Sequence, residues 1–244
     1  MGPRAPSFSG LLRHPVTQAT ILERDGFLST PDGRPIPEID GFPNLLPARK
    51  PFRHRFWAWV YNLTSFSYDF GVRVGWRQAF GGAPIERDAF LSRLDIRTGM
   101  RVLETAVGSG ENLIALPGGP DYYGFDQSVA MLRRCRSKLR HAERCAGLVL
   151  ADMSSAPFLD GIFDLVFHLG GLQFLEDPRR GVEEMYRMVR PGGRVVIADE
   201  NASATAMVRR SGAGEMRGLV PVNAADVRIE RISGGELISI EFRK

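Results

Sequence analysis

Cysteine is scarce in this chain, and long apolar runs are missing from it. Only two cysteines, Cys135 and Cys145, occur among 244 residues, which is too few for a disulfide framework or for a zinc site of their own. No apolar stretch approaches the roughly 20 residues of a membrane span, and the N-terminal residues lack the sustained apolar core of a signal peptide. The sequence therefore predicts a cytoplasmic protein with no membrane span.

Lysine is also scarce, so the positive charge is carried almost entirely by arginine. The formal net charge is +4, and Lys50, Lys138 and Lys244 are the only lysines. The arginines are interleaved with acidic residues, as in RRCRSKLRHAER and RRGVEEMYRMVR. Such mixed runs are typical of solvated helix faces. The pattern argues against nucleic acid as a partner, with an anionic partner surface left as the alternative.

The sequence divides into three parts. Residues 1–50 are rich in proline and glycine, and their PDG and DG turn signals predict short strands joined by tight turns. Residues 51–97 are rich in aromatic residues and predict a helical lid over a pocket for a lipophilic or aromatic small molecule. Packing of these aromatic helices onto a sheet is the alternative. Residues 98–244 form the core, in which strand-like and helix-like segments alternate.

This alternation is the strongest signal of the fold. The strand candidates are RVLETAV, DYYGFDQ, AGLVLADM, GIFDLVFHL and RVVIADE, followed by a terminal hairpin of ADVRIERI and ELISIEFRK. Ser128 is the predicted N-cap of the helix after the second strand. The helix PRRGVEEMYRMVR is expected to stop at Pro191-Gly192-Gly193. The order predicts an α/β fold with a doubly wound, mainly parallel sheet and an antiparallel last strand.

Acidic residues follow three successive strands of this core. Glu104 precedes a loop of small residues with Gly108 and Gly110. Because a carboxylate repels phosphate, this loop suits a ligand with an ammonium group better than a dinucleotide. Asp126 is placed to accept hydrogen bonds from both hydroxyls of a ribose, and Asp152-Met153 is placed to contact an adenine. An amino acid, a ribose and an adenine in that order describe S-adenosylmethionine.

The stretch from about 98 to 200 resembles class I S-adenosylmethionine-dependent methyltransferases, especially the branch related to quinone-biosynthesis methyltransferases. The motifs that carry the resemblance are VLETAVGSGENL, GFDQSVAML, ADMSSAPFLDGIFDLVFHLGGLQFLED and EMYRMVRPGGRVVIADE. It implies a seven-stranded Rossmann-like sheet, with S-adenosylmethionine as cofactor and S-adenosylhomocysteine as product. The cofactor-binding residues that it implies are Glu104, Ala106, Gly108, Gly110, Asp126, Gln127, Met131, Asp152, Met153 and His168. Ala106 stands where the family has a glycine, and we expect the loop to survive because alanine is the smallest alternative.

The first fifty residues carry a second resemblance, to a small zinc-ribbon-like module found in some methyltransferase partners and at the start of some methyltransferases. His14-Pro15-Val16-Thr17 stands where a Cys-Pro-x-Cys is expected. One histidine cannot hold a structural zinc. We therefore expect a metal-free module that serves packing or the formation of a homodimer, and an unrelated turn-rich extension is the alternative.

His168 is the main catalytic candidate, because it follows FDLVF at the end of the fourth core strand. A histidine there could remove a hydroxyl proton near neutral pH. The alternative is that it only hydrogen-bonds the backbone or lines the cofactor site. Tyr68 of the aromatic segment is the second candidate, with Gln173, Asp199 and Glu200 as further ones. FHLGGLQF supplies no carboxylate cluster, so no catalytic metal is expected.

Three functions are compatible with these features. The favoured one is methyl transfer to an oxygen or a carbon of a lipophilic or aromatic small metabolite, such as a quinone, a polyketide or a specialised product. The second is methylation of RNA or protein. The third is a protein that binds S-adenosylmethionine and catalyses another reaction, or that acts as a binding partner, because such motifs report cofactor binding rather than chemistry.

Overall fold

A computed structural model describes residues 5–47, 87–172, 175–200, 213–232 and 237–244, without the side chains of residue 200 and residues 213–215. Tyr68, Gln173 and nearly all of the aromatic segment 51–97 lie outside the described residues. So do the Ser233-Gly234-Gly235 turn and the side chain of Glu200. The predictions made for these residues stay predictions.

A seven-stranded sheet organises the core. Its strands are β5 (Arg101–Thr105), β6 (Asp121–Asp126), β7 (Gly147–Leu150), β8 (Phe163–Leu169), β9 (Val189–Glu200), β10 (Ala225–Ile232) and β11 (Leu237–Arg243). The spatial order is β10-β11-β9-β8-β5-β6-β7. β11 runs antiparallel to both of its neighbours, and the remaining pairs are parallel. The predicted mainly parallel sheet with an antiparallel last strand is confirmed.

Short helices connect the strands. They are α1 (Arg87–Leu91), α2 (Glu111–Ala115), α3 (Val129–His141), α4 (Pro178–Met188) and α5 (Ala213–Leu219), with 3-10 turns at Ser92–Leu94 and Met153–Ser155. The predicted cap of α3 is present, since Ser128 Oγ accepts a hydrogen bond from Met131 N at 3.3 Å. Within the described ranges, no helix is long and apolar enough to cross a membrane.

The prediction that α4 stops at Pro191-Gly192-Gly193 was wrong. The helix ends at Met188, and Val189 already has extended backbone with φ −72° and ψ 138°. Proline disfavours helical backbone at the preceding residue, so the chain leaves the helix before it reaches Pro191. β9 then passes through this segment with a register shift, because Val189 lies opposite Phe163 while Arg194 lies opposite Leu165.

The two faces of the sheet bury separate apolar layers. The α2–α3 face holds the buried residues Phe90, Val102, Leu113, Leu132, Cys135, Leu165, Phe167 and Val196. The α4 face holds Leu103, Phe125, Val149, Val166, Val182, Met185, Val195 and Ile197. Each fully buried aliphatic or aromatic side chain contributes about 2 kcal/mol. Because successive residues of a strand point to opposite faces, Glu104 lies with the first layer and Thr105 with the second.

The N-terminal residues form two small antiparallel hairpins, as predicted. β1 (Leu22–Arg24) pairs with β2 (Phe27–Ser29), and β3 (Glu38–Ile39) pairs with β4 (Phe42–Pro43). Leu45 N donates to Leu150 O at 2.9 Å, so this module lies against the edge strand β7. Its apolar side chains, among them Leu12, Ile21 and Leu45, share the layer on the α4 face. The packing role is thus observed, and a homodimer stays a prediction.

Local contacts give two residues of this region roles that the sequence did not predict. His14 Nδ1 accepts hydrogen bonds from Val16 N at 3.3 Å and Thr17 N at 3.2 Å. These bonds stabilise the turn that stands in place of a Cys-Pro-x-Cys. On α3, Arg133 Nε donates to Asp40 Oδ2 at 2.7 Å. The sequence predicted a solvated helix face here, and the structure shows that this face contacts the β3–β4 hairpin.

Candidate functional site

The strand order reverses at β5, which has β6 on one side and β8 on the other. Open α/β sheets bind ligands in the crevice outside the carboxyl ends of the strands at such a switch point. The loops after β5, β6 and β7 meet at this edge, and β8 delivers His168 to the same end. The sheet therefore brings together the residues that the sequence placed at successive strand ends.

The loop between β5 and α2 depends on left-handed backbone at three positions. The φ angles are +52° at Ala106, +53° at Gly108 and +80° at Gly110. A Cβ at Gly110 would lie 2.5 Å from Cys135 Sγ, so only glycine brings the loop this close to α3. The loop forms with alanine at position 106, although an L-residue in this conformation costs about 1 kcal/mol.

Glu104 is the buried acid of the site. Its side chain is 2% exposed, and Oε1 accepts a hydrogen bond from Asn112 Nδ2 at 2.6 Å. Oε2 is buried and has no hydrogen-bond partner among the described residues. Burial raises the pKa of Glu104 to about 8, and the negative charge of Asp126 acts in the same direction. A cationic donor beside Oε2 would satisfy this oxygen and favour the ionised form.

Asp126 ends β6 and holds the glycine loop to the next connection. Its Oδ2 accepts a hydrogen bond from Gly108 N at 3.0 Å, and its Oδ1 accepts one from Ser128 N at 2.8 Å. Both carboxylate oxygens thus hold backbone N–H groups of the two loops that meet at this edge of the sheet. Gln127 follows it, half-buried, and Met131 is buried one turn into α3.

Asp152 lies two residues after the end of β7 and is 8% exposed. Asp152 Oδ1 accepts from Ser154 N at 2.9 Å and from Ser154 Oγ at 2.7 Å, so the carboxylate caps the 3-10 turn that follows. Met153 is 5% exposed and packs against Gly181 of α4. A polar group and a thioether thus stand side by side at the third strand end, where an adenine was predicted.

His168 lies near the end of β8 on the α4 face, where it contacts Thr105. Its side chain is 1% exposed, and Nδ1 lies 2.9 Å from Thr105 Oγ1 and 3.2 Å from Thr105 O. Because a carbonyl oxygen can only accept, Nδ1 carries the proton, and Nε2 keeps the lone pair. Nε2 is buried, and no residue of the described ranges forms a hydrogen bond with it. Burial lowers the pKa of His168 to about 4, so the imidazole is neutral at physiological pH.

The sequence missed two residues that the structure places in the site. Asn112 binds Glu104, and Thr105 orients His168. The motif contained both, but it carried no signal for their side-chain contacts. Asp199 is also buried, and its Oδ1 accepts from Gly171 N at 3.2 Å, which ties β9 to the segment after β8.

This donor and acceptor set fits the cofactor that the sequence predicted. The carboxyl oxygen of Glu104 without a partner calls for a cationic N–H donor, and carboxylates at the ends of β6 and β7 suit the hydroxyls and the amine of a nucleoside. The tight packing of Gly110 on Cys135 leaves the loop backbone, rather than a side chain, to face the crevice. S-adenosylmethionine carries all of these groups.

Comparison with known proteins shows what part of this chain is similar to. Residues 103–197 match the family model described as "Methyltransferase domain". A demethylmenaquinone methyltransferase of Clavibacter sepedonicus is 35% identical over 124 residues, which cover 50% of each chain. The chain spans about half the length of the curated relatives it matches.

Solved structures share the fold at low identity. A phosphoethanolamine N-methyltransferase of Haemonchus contortus, in complex with S-adenosyl-L-methionine, has a TM-score of 0.61 at 16% identity, with 86% of this chain and 62% of that one covered. The [4+2]-cyclase SpnF has a TM-score of 0.62 at 14% identity, with 82% and 98% covered. Residues 103–197 are thus similar in sequence to a methyltransferase domain, and the fold of the core is shared with a solved methyltransferase structure.

Proposed function

We propose that this protein transfers a methyl group from S-adenosylmethionine to a quinone-type aromatic small molecule. The observation that carries the proposal is the buried Glu104, whose Oε2 lacks a partner at the head of a loop fixed by Asp126. The names of the relatives support a quinone as the acceptor, and the match over half of their length leaves the acceptor open to test.

The chain's own residues supply binding and orientation. Glu104 would hold the amino group of the cofactor, Asp126 its ribose, and Asp152 with Met153 its adenine. Bound in this way, S-adenosylmethionine supplies an electrophilic methyl group on a sulfonium. Holding two reactants in line supplies much of the rate enhancement of such a transfer, because it removes their translational and rotational freedom in advance.

His168 is the proposed base for an acceptor hydroxyl. The Nδ1 contact with Thr105 fixes the tautomer, so Nε2 would take the hydroxyl proton as the bond between the acceptor oxygen and the methyl carbon forms. The bond between the methyl carbon and sulfur would break at the same time, and S-adenosylhomocysteine would be the leaving group. A pKa of about 4 makes this imidazole a weak base. It therefore suits an acidic phenol or hydroquinone better than an aliphatic alcohol. Tyr68 stays a second catalytic candidate from the sequence.

Cofactor binding tests the first part of the proposal. Titration calorimetry with S-adenosylhomocysteine should give a measurable dissociation constant for the wild type, and Asp126→Asn should weaken binding by about 1 to 3 kcal/mol. Asp121→Asn, at the exposed opposite end of β6, is the matched control and should bind as the wild type does. A wild-type protein that does not bind the ligand would refute the proposed cofactor.

Product formation tests the second part. The protein is incubated with S-adenosylmethionine and a reduced demethylnaphthoquinone, and both S-adenosylhomocysteine and the methylated quinol are measured. Equal amounts of the two products support methyl transfer. A transformed acceptor without S-adenosylhomocysteine would favour the alternative of another reaction on this fold, for which the cyclase among the structural neighbours is a precedent at the level of fold.

A further inference from the structure

Asn112 shares the buried pocket of Glu104, although it lies at the start of α2 rather than on the strand. Its side chain is 9% exposed, and Nδ2 donates to Glu104 Oε1 at 2.6 Å. This bond leaves two oxygens in the same pocket, Glu104 Oε2 and Asn112 Oδ1, which are buried without a hydrogen-bond partner in the described structure. Both are acceptors once Glu104 is ionised, as it would be beside a cation. Each residue of this hydrogen-bonded pair thus has one buried oxygen that no donor of the described structure reaches.

The charged groups that act on this pair do not supply that donor in the described structure. Arg87 of α1 acts on Glu104 through its positive charge, and Asp126 of β6 acts in the opposite sense. Cys135 of α3, which packs against Gly110, is a neutral thiol because burial raises its pKa. Lys138 of α3 contacts Glu111 Oε1 at 2.5 Å and Ser109 Oγ at 3.0 Å.

Buried acceptors are unfavourable unless a donor reaches them. An ammonium group has three N–H donors and can serve a carboxylate and an amide carbonyl together. A hydroxyl has only one O–H donor, and the amine of adenine carries no positive charge to pair with a carboxylate. The pair of acceptors therefore matches the amino-acid end of the proposed cofactor better than its nucleoside end.

We propose that Asn112 is a specificity-determining residue that positions Glu104 through Nδ2 and accepts the ligand ammonium on Oδ1. This inference rests on the proposed function, since it concerns the amino-acid end of the same cofactor. It assigns to α2 a direct part in the selection of ligands that carry an ammonium group. An apolar residue at position 112 would remove both the donor to Glu104 and the second acceptor.

The test compares two ligands that differ at that end. S-adenosylhomocysteine carries the ammonium group, whereas 5′-methylthioadenosine lacks the whole amino-acid end and keeps the nucleoside. Calorimetry on the full chain should show that Asn112→Leu weakens binding of S-adenosylhomocysteine roughly 10- to 100-fold, the range for a hydrogen bond to a charged group. Binding of 5′-methylthioadenosine should change less than about threefold, because none of its groups needs Asn112.

Two further variants separate recognition from folding. Asn223→Leu makes the same chemical change at an exposed position and should bind both ligands as the wild type does. Asn112→Asp keeps an acceptor oxygen in the same shape, so it should retain the preference for S-adenosylhomocysteine that Asn112→Leu loses. If the leucine variant does not fold, the ligand preference of Asn112→Asp still tests the inference: loss of that preference would contradict it.

Two results would overturn the inference. One is an equal loss for both ligands in Asn112→Leu, which would show that Asn112 only shapes the loop. The other is wild-type affinity for both ligands in this variant, which would show that Asn112 does not contact the ligand. Failure of the proposed function gives a different pattern, because the wild-type protein would then bind neither ligand.

Discussion

The two faces of the sheet treat a buried titratable group in the same way but with opposite results. Glu104 on the α2–α3 face is 2% exposed, and His168 on the α4 face is 1% exposed. Each keeps one polar atom buried without a partner. Burial raises the pKa of the acid to about 8 and lowers the pKa of the imidazole to about 4. Both groups are therefore mainly neutral at pH 7.

The difference lies in what each neutral group offers to a ligand. A neutral carboxyl must release its proton before it can pair with an ammonium group, and the arriving cation lowers its pKa. A neutral imidazole already carries the lone pair that a base needs. Glu104 would thus become charged when the ligand binds, whereas the imidazole of His168 can accept a proton before the ligand binds.

The largest predicted effect is the pH dependence that Glu104 gives to stability. Because its pKa is raised from 4.5 to about 8, the folded protein keeps a proton that the unfolded chain loses above pH 4.5. This contribution to stability is fully present below pH 4.5 and is lost as the pH rises through 8, by about 3 to 5 kcal/mol. Urea unfolding of the wild type and Glu104→Gln between pH 5 and 9 measures it.

The glutamine variant should lack this decline, because it does not titrate. Glu183→Gln removes an exposed carboxyl of α4 and should keep the wild-type decline. Parallel pH curves for the wild type and Glu104→Gln would contradict the burial of a titrating carboxyl.

His168 should give the opposite slope at lower pH. Its pKa is lowered from 6.5 to about 4, so the unfolded chain takes up a proton below pH 6.5 that the folded protein refuses. The stability is present above pH 6.5 and is lost as the pH falls through 4, by about 3 kcal/mol. His168→Asn should flatten the unfolding free energy over this window, and the exposed His141→Asn should not. An unchanged slope would show that the fold does not lower the pKa of His168.

The sequence predicted the fold well because the strands of the core are short apolar runs between turn residues. The acids at the strand ends could be found for the same reason. Asp126 ends an apolar run and Asp152 closely follows another, so each marks the position where a strand reaches the edge of the sheet. The end of α4 could not be predicted from the sequence, because the helical spacing of apolar residues continues to Val189. Pro191 disfavours helical backbone at the residue before it, so the helix ends earlier than this spacing indicates.

The contacts within the site were beyond the sequence for a physical reason. Asn112 reaches Glu104 across eight residues, and His168 meets Thr105 across sixty-three. The second pair is set by the register of β8 on β5, which places Phe167 opposite Glu104, and the first by the turn that leads from β5 into α2. Spacing along the chain predicts which residues share an edge of the sheet, but not which side chains point at each other.

Packing in the glycine loop gives the next prediction, on the α2–α3 face alone. Gly110→Ala would place a Cβ 2.5 Å from Cys135 Sγ and 3.2 Å from Cys135 Cα, at a φ of +80°. We expect a loss of about 2 kcal/mol from overpacking and backbone strain. Gly118→Ala meets no atom within 4 Å and is the matched control. Cys135→Ala should recover only part of the loss, since the backbone contact remains; full recovery would place all the strain on the sulfur.

The smallest predicted effect is a gain at Ala106. Its φ of +52° is a left-handed conformation that glycine adopts without the steric cost of a Cβ. Ala106→Gly should therefore raise the free energy of unfolding by up to about 1 kcal/mol, although the greater freedom of glycine in the unfolded chain offsets part of the gain. Ala130→Gly, within α3, is the matched control and should lower stability by about 0.5 to 1 kcal/mol. If both variants are destabilised equally, the left-handed turn carries no strain, and alanine then holds the ligand-facing loop as well as glycine does.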